Sequence, residues 1–249
     1  VSRGLGDVYK RQMYCHREPR FYLTVVWNGQ WFKWENRNTN FLYGQPDGGP
    51  THDAPQNGYL NRSRVSLDYI PRDNNHPYRP AIIFRMAEAY LSYAEALNES
   101  SERMSHKQEI LDNLNKIRHR AGIAEYGTGT DENGFTRIKI NFSDQKEVRR
   151  LIHKERRVEF VGEGVRYHDL RRWKTAHYGI GNLNEQGENP DWGVNGPDYG
   201  MNYYGTEYTD QGDNAFFKRT KYMDRVYPRK FYWYPIHQSE ICLLYTSPS

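Results

Sequence analysis

Apolar residues recur along this chain with two different periods, and the switch between them divides it into segments. Residues 21–43 open with FYLTVVWNGQWFKW, where aromatic and branched side chains alternate with polar ones. Alternation of that kind predicts a strand, a turn at Asn28-Gly29 and a returning strand, the strongest short-range hairpin signal. Residues 45–75 are rich in Pro, Gly, Asn and Asp and are predicted to be mainly loop. From Ile82, after Pro77 and Pro80, the period lengthens. Ile82, Ile83, Met86, Ala87, Tyr90, Leu91, Ala94 and Leu97 follow helical spacing, and alanines at 87, 89, 94 and 96 leave room for a neighbouring helix. A second helix is predicted over about Ser105 to Ala121 with Ile110, Leu111, Leu114 and Ile117 as its apolar stripe, closed by Gly122. The two helices and their turn span about one tetratricopeptide-type repeat, whose period is about 34 residues. A polar connection over 125–142 leads to a charged helix starting near Ser143, which Gly162 and Gly164 should break before a turn over Tyr167 to Lys174. A long Gly-, Asn-, Asp- and Tyr-rich loop then runs from Tyr178 to Asn214, followed by Phe216 to Asp224 and an aromatic extended segment turned at Pro235. Loops that long carry function or disorder.

The charged segment, LIHKERRVEFVGEGVRYHDLRRW over 151–173, threads a few apolar residues through many arginines and glutamates. Glu155, Glu159 and Glu163 fall four apart and share a helical face if the helix runs that far. Carboxylates in a row repel unless cations intervene, and the nearby Arg156, Arg157, Arg166, Arg171 and Arg172 are the cations at hand. A planar guanidinium meets a carboxylate with two parallel hydrogen bonds, so the segment reads as an internal clamp. Its expected members are Glu159, Glu163, Arg166, Asp169 and Arg172.

Composition adds two points. Only 37% of the 249 residues are hydrophobic, yet aromatics reach 15%, with 21 Tyr and 6 Trp, which argues against disorder and for an amphipathic surface. The net charge of +4 is spread over interspersed acids and bases, without the concentrated basic face of a nucleic-acid binder. No run of eighteen apolar residues is present. Cys15 and Cys242 suggest neither a disulfide framework nor a metal site. The ends, residues 1–12 and 242–249, look unlike what they adjoin and resemble translated adaptor sequence, so native sequence is expected over about 13–241 as a single, incomplete domain.

Five ordered segments carry a resemblance: REPRFYLTVVWNG (17–29), IIFRMAEAYLSYAEALNE (82–99), LDNLNKIRHRAGI (111–123), the charged segment 151–173, and YPIHQSEI (234–241). Together they resemble the C-terminal half of the SusD/RagB family of glycan-binding outer-membrane lipoproteins. His237 stands where family members usually have proline. The resemblance implies a mainly α fold: tetratricopeptide-like helix pairs in an α–α superhelix, with long irregular loops. It also implies a non-catalytic protein at the cell surface that binds oligosaccharide or polysaccharide and delivers it to a SusC-like TonB-dependent outer-membrane transporter. Members are tethered by an N-terminal lipidated cysteine. Nothing apolar of the needed length precedes Cys15, so that anchor is expected upstream of this sequence.

Glu155 with Glu159, or Glu163 with Asp169, has the rough spacing of a glycosidase acid pair, but one helix face does not clasp both sides of a sugar. Neighbouring arginines also lower carboxyl pKa values where a general acid needs one raised. His153, His168 and His177 lack metal-ligand spacing, so no metal and no cofactor are expected. Recognition must rest on aromatic faces that stack on sugar C–H groups beside amide and carboxylate side chains. Two sets qualify: Trp27, Trp31 and Trp34 around the turn, and Trp192, Tyr199, Tyr203 and Tyr204 in the long loop. The competing function is a tetratricopeptide-like scaffold that binds a peptide or protein; a glycoside hydrolase ranks third.

Overall fold

The computed structural model describes residues 13–63, 65–66, 77–78, 82–179 and 193–234. The tails 1–12 and 242–249, most of YPIHQSEI and Trp192 lie outside them. The chain divides into two compact units: Val1–Arg166 with Tyr199–Tyr222, and Tyr167–Asp198 with Met223–Ser249. Among the described residues helices dominate, and the six strands are short and paired in twos.

In the first unit three helices, α2 (Met86–Glu99), α3 (Lys107–Arg120) and α4 (Gln145–Glu159), pack as the sequence period requires, α2 against both α3 and α4. Ala87, Leu91 and Ala94 of α2, Ile110, Leu111, Leu114 and Ile117 of α3, and Val148 and Ile152 of α4 form one core with Tyr126, Phe142 and Phe160. Complete burial of each large aliphatic side chain here contributes about 1.5–3 kcal/mol. Helix α3 stops at Gly122 (φ +66°), where Ile123 N–H donates to the Arg118 carbonyl and Gly122 N–H to that of His119, satisfying the helix's last acceptors. Asp144, rather than Ser143, caps α4, accepting from the N–H groups of Lys146 (2.9 Å) and Glu147 (3.3 Å).

Three expectations change in the first unit. Helix α2 begins at Met86 and not at Ile82: Arg85 is extended (φ −142°), Ile82–Phe84 are non-helical, and Ile83 is 95% exposed. The Arg85 side chain is drawn onto two carboxylates, which sets where the helix can start. Second, Pro19–Thr24 forms a helix, α1, where a strand was predicted, because Pro19 supplies a helical φ at its first position. Third, the Asn28-Gly29 turn exists (Gly29 φ +89°, Gln30 N–H to Trp27 O 3.2 Å), yet its flanking strands do not pair with each other. Strand β1 (Val25–Trp27) pairs antiparallel with β4 (Tyr59–Asn61), and β2 (Trp31–Phe32) with β3 (Arg37–Asn38). Thr39 takes the place of the hairpin partner, its hydroxyl donating to Trp27 O (2.7 Å) and its backbone bonding Gly29 and Gln30. The buried Asn28 side chain points inward and accepts from Phe41 N–H at 2.7 Å. A second core, of Tyr14, Phe41, Leu42, Met201, Phe216 and Phe217, forms around this segment.

The second unit has its own small core of Leu170, Ala176 and Tyr227. Helix α5 (Val165–Arg172) leads into it, where a turn was predicted. Arg171 donates to the carbonyls of Phe231 and Tyr232, both at 2.6 Å, and Asn195 binds the carbonyls of His177 and Tyr227. Strands β5 (Gly196–Gly200) and β6 (Thr220–Arg225) form the third sheet.

Candidate functional site

Glu155 and Glu159 are buried, and their partners come from distant parts of the chain. Glu155 accepts from Arg20 (2.6 Å) and Arg118 (3.0 Å). Glu159 gathers Arg20 (3.1 Å), Arg85 (2.5 Å) and Arg120. Arg85 also grips Glu163 with two parallel bonds of 2.9 and 2.7 Å, reaches the Glu159 carbonyl (2.9 Å), and lies 4.6 Å from the Phe160 ring centre. Burial alone would raise the Glu159 carboxyl pKa, but hydrogen bonds from Arg120 and Arg85 together with their charges outweigh it and hold the group below its ordinary value. A carboxylate tied this firmly to guanidinium groups is a structural joint between α1, α2, α3 and α4. Arg156 turns to α2, where it binds Ser92 (3.1 Å) and pairs with Glu95 (4.0 Å). Asp169 pairs with Arg172 (2.9 Å) on α5, and Arg166 stands in the first turn of the same helix.

Among the aromatic candidates, Trp27 is packed into the second core, stacked on Phe21 (5.5 Å, 28°) with Tyr22 and Tyr14 against it. Its faces are therefore occupied. Trp31 is 58% exposed at the start of β2. Trp34 lies in a short 3-10 turn, and its side chain is outside the described residues. Tyr199 is exposed with the Arg219 guanidinium over its ring at 4.1 Å.

Tyr203 and Tyr204 come together with a residue the sequence reading missed, Tyr43. The three ring centres lie 6.0 Å (Tyr43–Tyr203), 5.6 Å (Tyr43–Tyr204) and 5.1 Å (Tyr203–Tyr204) apart, and Tyr204 is 68% exposed. Two loops present them. In the first, Phe41 and Leu42 are buried while Asp47 accepts a fork from Arg37 (2.6 and 2.8 Å) and the Asn40 N–H (2.8 Å), which closes the turn. Burial opposes ionisation of Asp47, but the Arg37 and Asn40 bonds prevail and lower its pKa. In the second loop, buried Asn202 donates to the carbonyls of Asp213 (2.9 Å) and Ala215 (3.2 Å) and accepts from Tyr204 N–H (3.2 Å). Tyr43 N–H bonds Gly205 O at 2.9 Å and ties the loops together. Gly49 approaches Tyr203 so closely that a Cβ there would lie 2.5 Å from the ring. The available sequence signal for Tyr43 was its place before a Gly- and Pro-rich turn, FLYGQPDGGP, which a two-strand reading absorbed.

This arrangement offers ring faces and phenol hydroxyls on a hydrogen-bonded loop base. Structurally it defines a helix-pair scaffold that carries an aromatic loop surface. The chain matches the SusD family over residues 8–244 and belongs to it. Its relatives include the SusD-like proteins P25 and P38 of Formosa agariphila, each 32% identical over 109 and 103 residues. Those matches cover 44% and 41% of this chain but only 18% and 19% of the relatives. A SusD-like protein from Bacteroides fragilis has a similar structure, with a TM-score of 0.62 and 26% identity over 93% of this chain and 38% of that one. A second protein from that organism, described as a SusD-like carbohydrate binding protein, shares the fold at a TM-score of 0.59 and 23% identity, over 92% of this chain and 41% of its own. The chain thus spans about two fifths of these solved structures.

Proposed function

We propose that this protein captures oligosaccharide or polysaccharide without catalysis at the outer-membrane surface, lipid-anchored in its full-length form, and passes it to a SusC-like TonB-dependent transporter. The observation that carries the reading is the tyrosine cluster of Tyr43, Tyr203 and Tyr204 on a rigid base. The exposed Tyr204 ring, flanked by the half-buried Tyr43 and Tyr203, suits the C–H face of a sugar unit, with hydroxyls bonding the phenols. Trp31 and Tyr199 add exposed rings, and Trp34 and Trp192 complete the proposed set. Family membership supports capture rather than cleavage, as does the lowered pKa of the Glu159 carboxyl beside Arg120 and Arg85, since a glycosidase acid needs its pKa raised.

Affinity electrophoresis against a panel of soluble glycans tests it. At least one glycan should retard the protein, and Tyr204→Ala, at an exposed site that tolerates truncation, should reduce retardation about tenfold, the loss of about 1.4 kcal/mol of stacking. Retardation by no glycan, or by one that Tyr204→Ala leaves unchanged, would refute the platform. Retention of a tagged copy on a TonB-dependent transporter extracted from outer membranes tests the delivery step.

A further inference from the structure

The two loops that carry the tyrosine cluster are joined at a second point, by side chains. Besides the backbone bond from Tyr43 N–H to Gly205 O, the Tyr208 hydroxyl donates to Asn40 Oδ1 at 2.8 Å. Asn40 stands three residues before Tyr43, and Tyr208 three residues after Gly205. The segments 40–43 and 205–208 therefore run antiparallel, tied in one register at both ends. A single bond lets two loops pivot about it, and a second bond three residues away removes that freedom. All three rings hang on these segments, Tyr43 at the end of the first and Tyr203 and Tyr204 immediately before the second.

Asn40 is itself held on every side. Its N–H donates to Asp47 Oδ2 (2.8 Å), its carbonyl accepts from Asp47 N–H (3.1 Å), and its Nδ2 donates to Gln45 Oε1 (3.2 Å). Its Oδ1, which also accepts from Leu42 N–H (3.4 Å), is left facing the second loop. Asp47 in turn takes both arms of the Arg37 guanidinium, at 2.6 and 2.8 Å. On the other side, the Tyr208 ring packs against the second core, 6.4 Å from the Phe217 ring. Burial pushes its phenol pKa above the ordinary 10, so the hydroxyl stays a donor. Each end of the bond is thus fixed by its own loop, and the bond transmits the position of one loop to the other.

We propose that Tyr208 and Asn40 are positioning residues for the tyrosine platform: their bond sets the angle between the Tyr43 loop and the Tyr203–Tyr204 loop, and with it the affinity for glycan. This role rests on the reading of Tyr43, Tyr203 and Tyr204 as a glycan surface. Neither residue has to touch the sugar. Rings already held in their bound arrangement spare the cost of ordering them when glycan arrives.

Tyr208→Phe tests it most cleanly, because it removes one oxygen and keeps the ring that packs on the core. In the free full chain with labelled tyrosine, nuclear Overhauser contacts between the Tyr43 ring and the Tyr203 and Tyr204 rings should weaken in Tyr208→Phe and in Asn40→Ala. The control Tyr93→Phe, on α2, should leave them intact. In gels carrying laminarin, pullulan or galactomannan, Tyr208→Phe should weaken retardation by about three- to tenfold. Asn40→Ala should do the same, and the double variant should lose no more than either alone. In a Tyr43→Ala background Tyr208→Phe should change nothing further, since the loop it orients no longer carries a ring. A merely structural role would lower retardation in both backgrounds. Unchanged ring contacts, unchanged retardation, or an equal loss in both backgrounds would overturn the proposal. Loss in Tyr204→Ala with none in Tyr208→Phe overturns the positioning role alone. Retardation by none of the gels overturns the platform and the positioning role with it.

Discussion

Arg85→Ala tests whether the buried ion cluster holds the helices together. The guanidinium makes four hydrogen bonds: one to the Glu159 carboxylate, one to its carbonyl, and two to Glu163, besides its position over Phe160. The Glu159 side chain is only 3% exposed, so its lost bond is a charged one out of solvent, contributing about 1.5–3 kcal/mol. The Glu163 pair is more accessible and adds at most about 1 kcal/mol. The stacking over Phe160 adds about 0.5–1 kcal/mol. Arg20 and Arg120 still face Glu159 after the substitution, so the total falls at the low end for a broken buried pair, about 3 kcal/mol. Arg85→Lys keeps the charge but not the fork and should lose about half of that. Urea unfolding followed by far-ultraviolet circular dichroism at pH 7 measures both. The pH dependence supplies a second check. Glu159 has a folded pKa below its ordinary 4.5, so its contribution is complete above 4.5 and fades as pH falls through the lower folded value. The gap between the unaltered protein and Arg85→Ala should therefore narrow in acid. A loss under 1 kcal/mol at pH 7, or a gap that widens on acidification, would refute the reasoning.

Three further outcomes follow from local geometry. Asp144→Ala removes the acceptor for two N–H groups at the start of α4 and should cost about 1 kcal/mol in the same assay, with Asp144→Asn close to neutral. Leu91→Ala, at a fully buried position between the helices, should cost about 2–5 kcal/mol, and a loss below 1 kcal/mol would mean that the core closes around the cavity. Gly49→Ala places a methyl group 2.5 Å from the Tyr203 ring and should displace the platform tyrosine, lowering glycan retardation in affinity electrophoresis alongside Tyr204→Ala. Unchanged retardation in Gly49→Ala would separate Tyr203 from recognition.

The helical part of the fold was legible because its causes are local. The stripes on α2 and α3, the stop at Gly122 and the break at Gly162 and Gly164 all follow from residues within a turn or two of one another. The hairpin failed for the opposite reason. Its turn is local and present, but the edge of β1 is taken by β4, more than thirty residues away, and Thr39 holds the turn from outside. The aromatic set divided the same way. Tyr203 and Tyr204 were visible as rings in a long loop, but their partner Tyr43 comes from a segment about 160 residues earlier, joined by the backbone bond to Gly205.

By itself the sequence determined the family and the helix-pair core, since each is written in short-range spacing or in the residues themselves. It could not assign counterions to Glu155 and Glu159. Arginines beside Glu155 and Glu159 in sequence looked like the natural partners, yet a helix turns about 100° per residue and aims neighbours in different directions. The cations that arrive are Arg20, Arg85, Arg118 and Arg120, carried in by α1, the start of α2 and α3. Which ring faces solvent and which is packed was likewise a tertiary decision: Trp27 and Trp31 stand four residues apart, and the core at Tyr14, Phe21 and Tyr22 covers only the first.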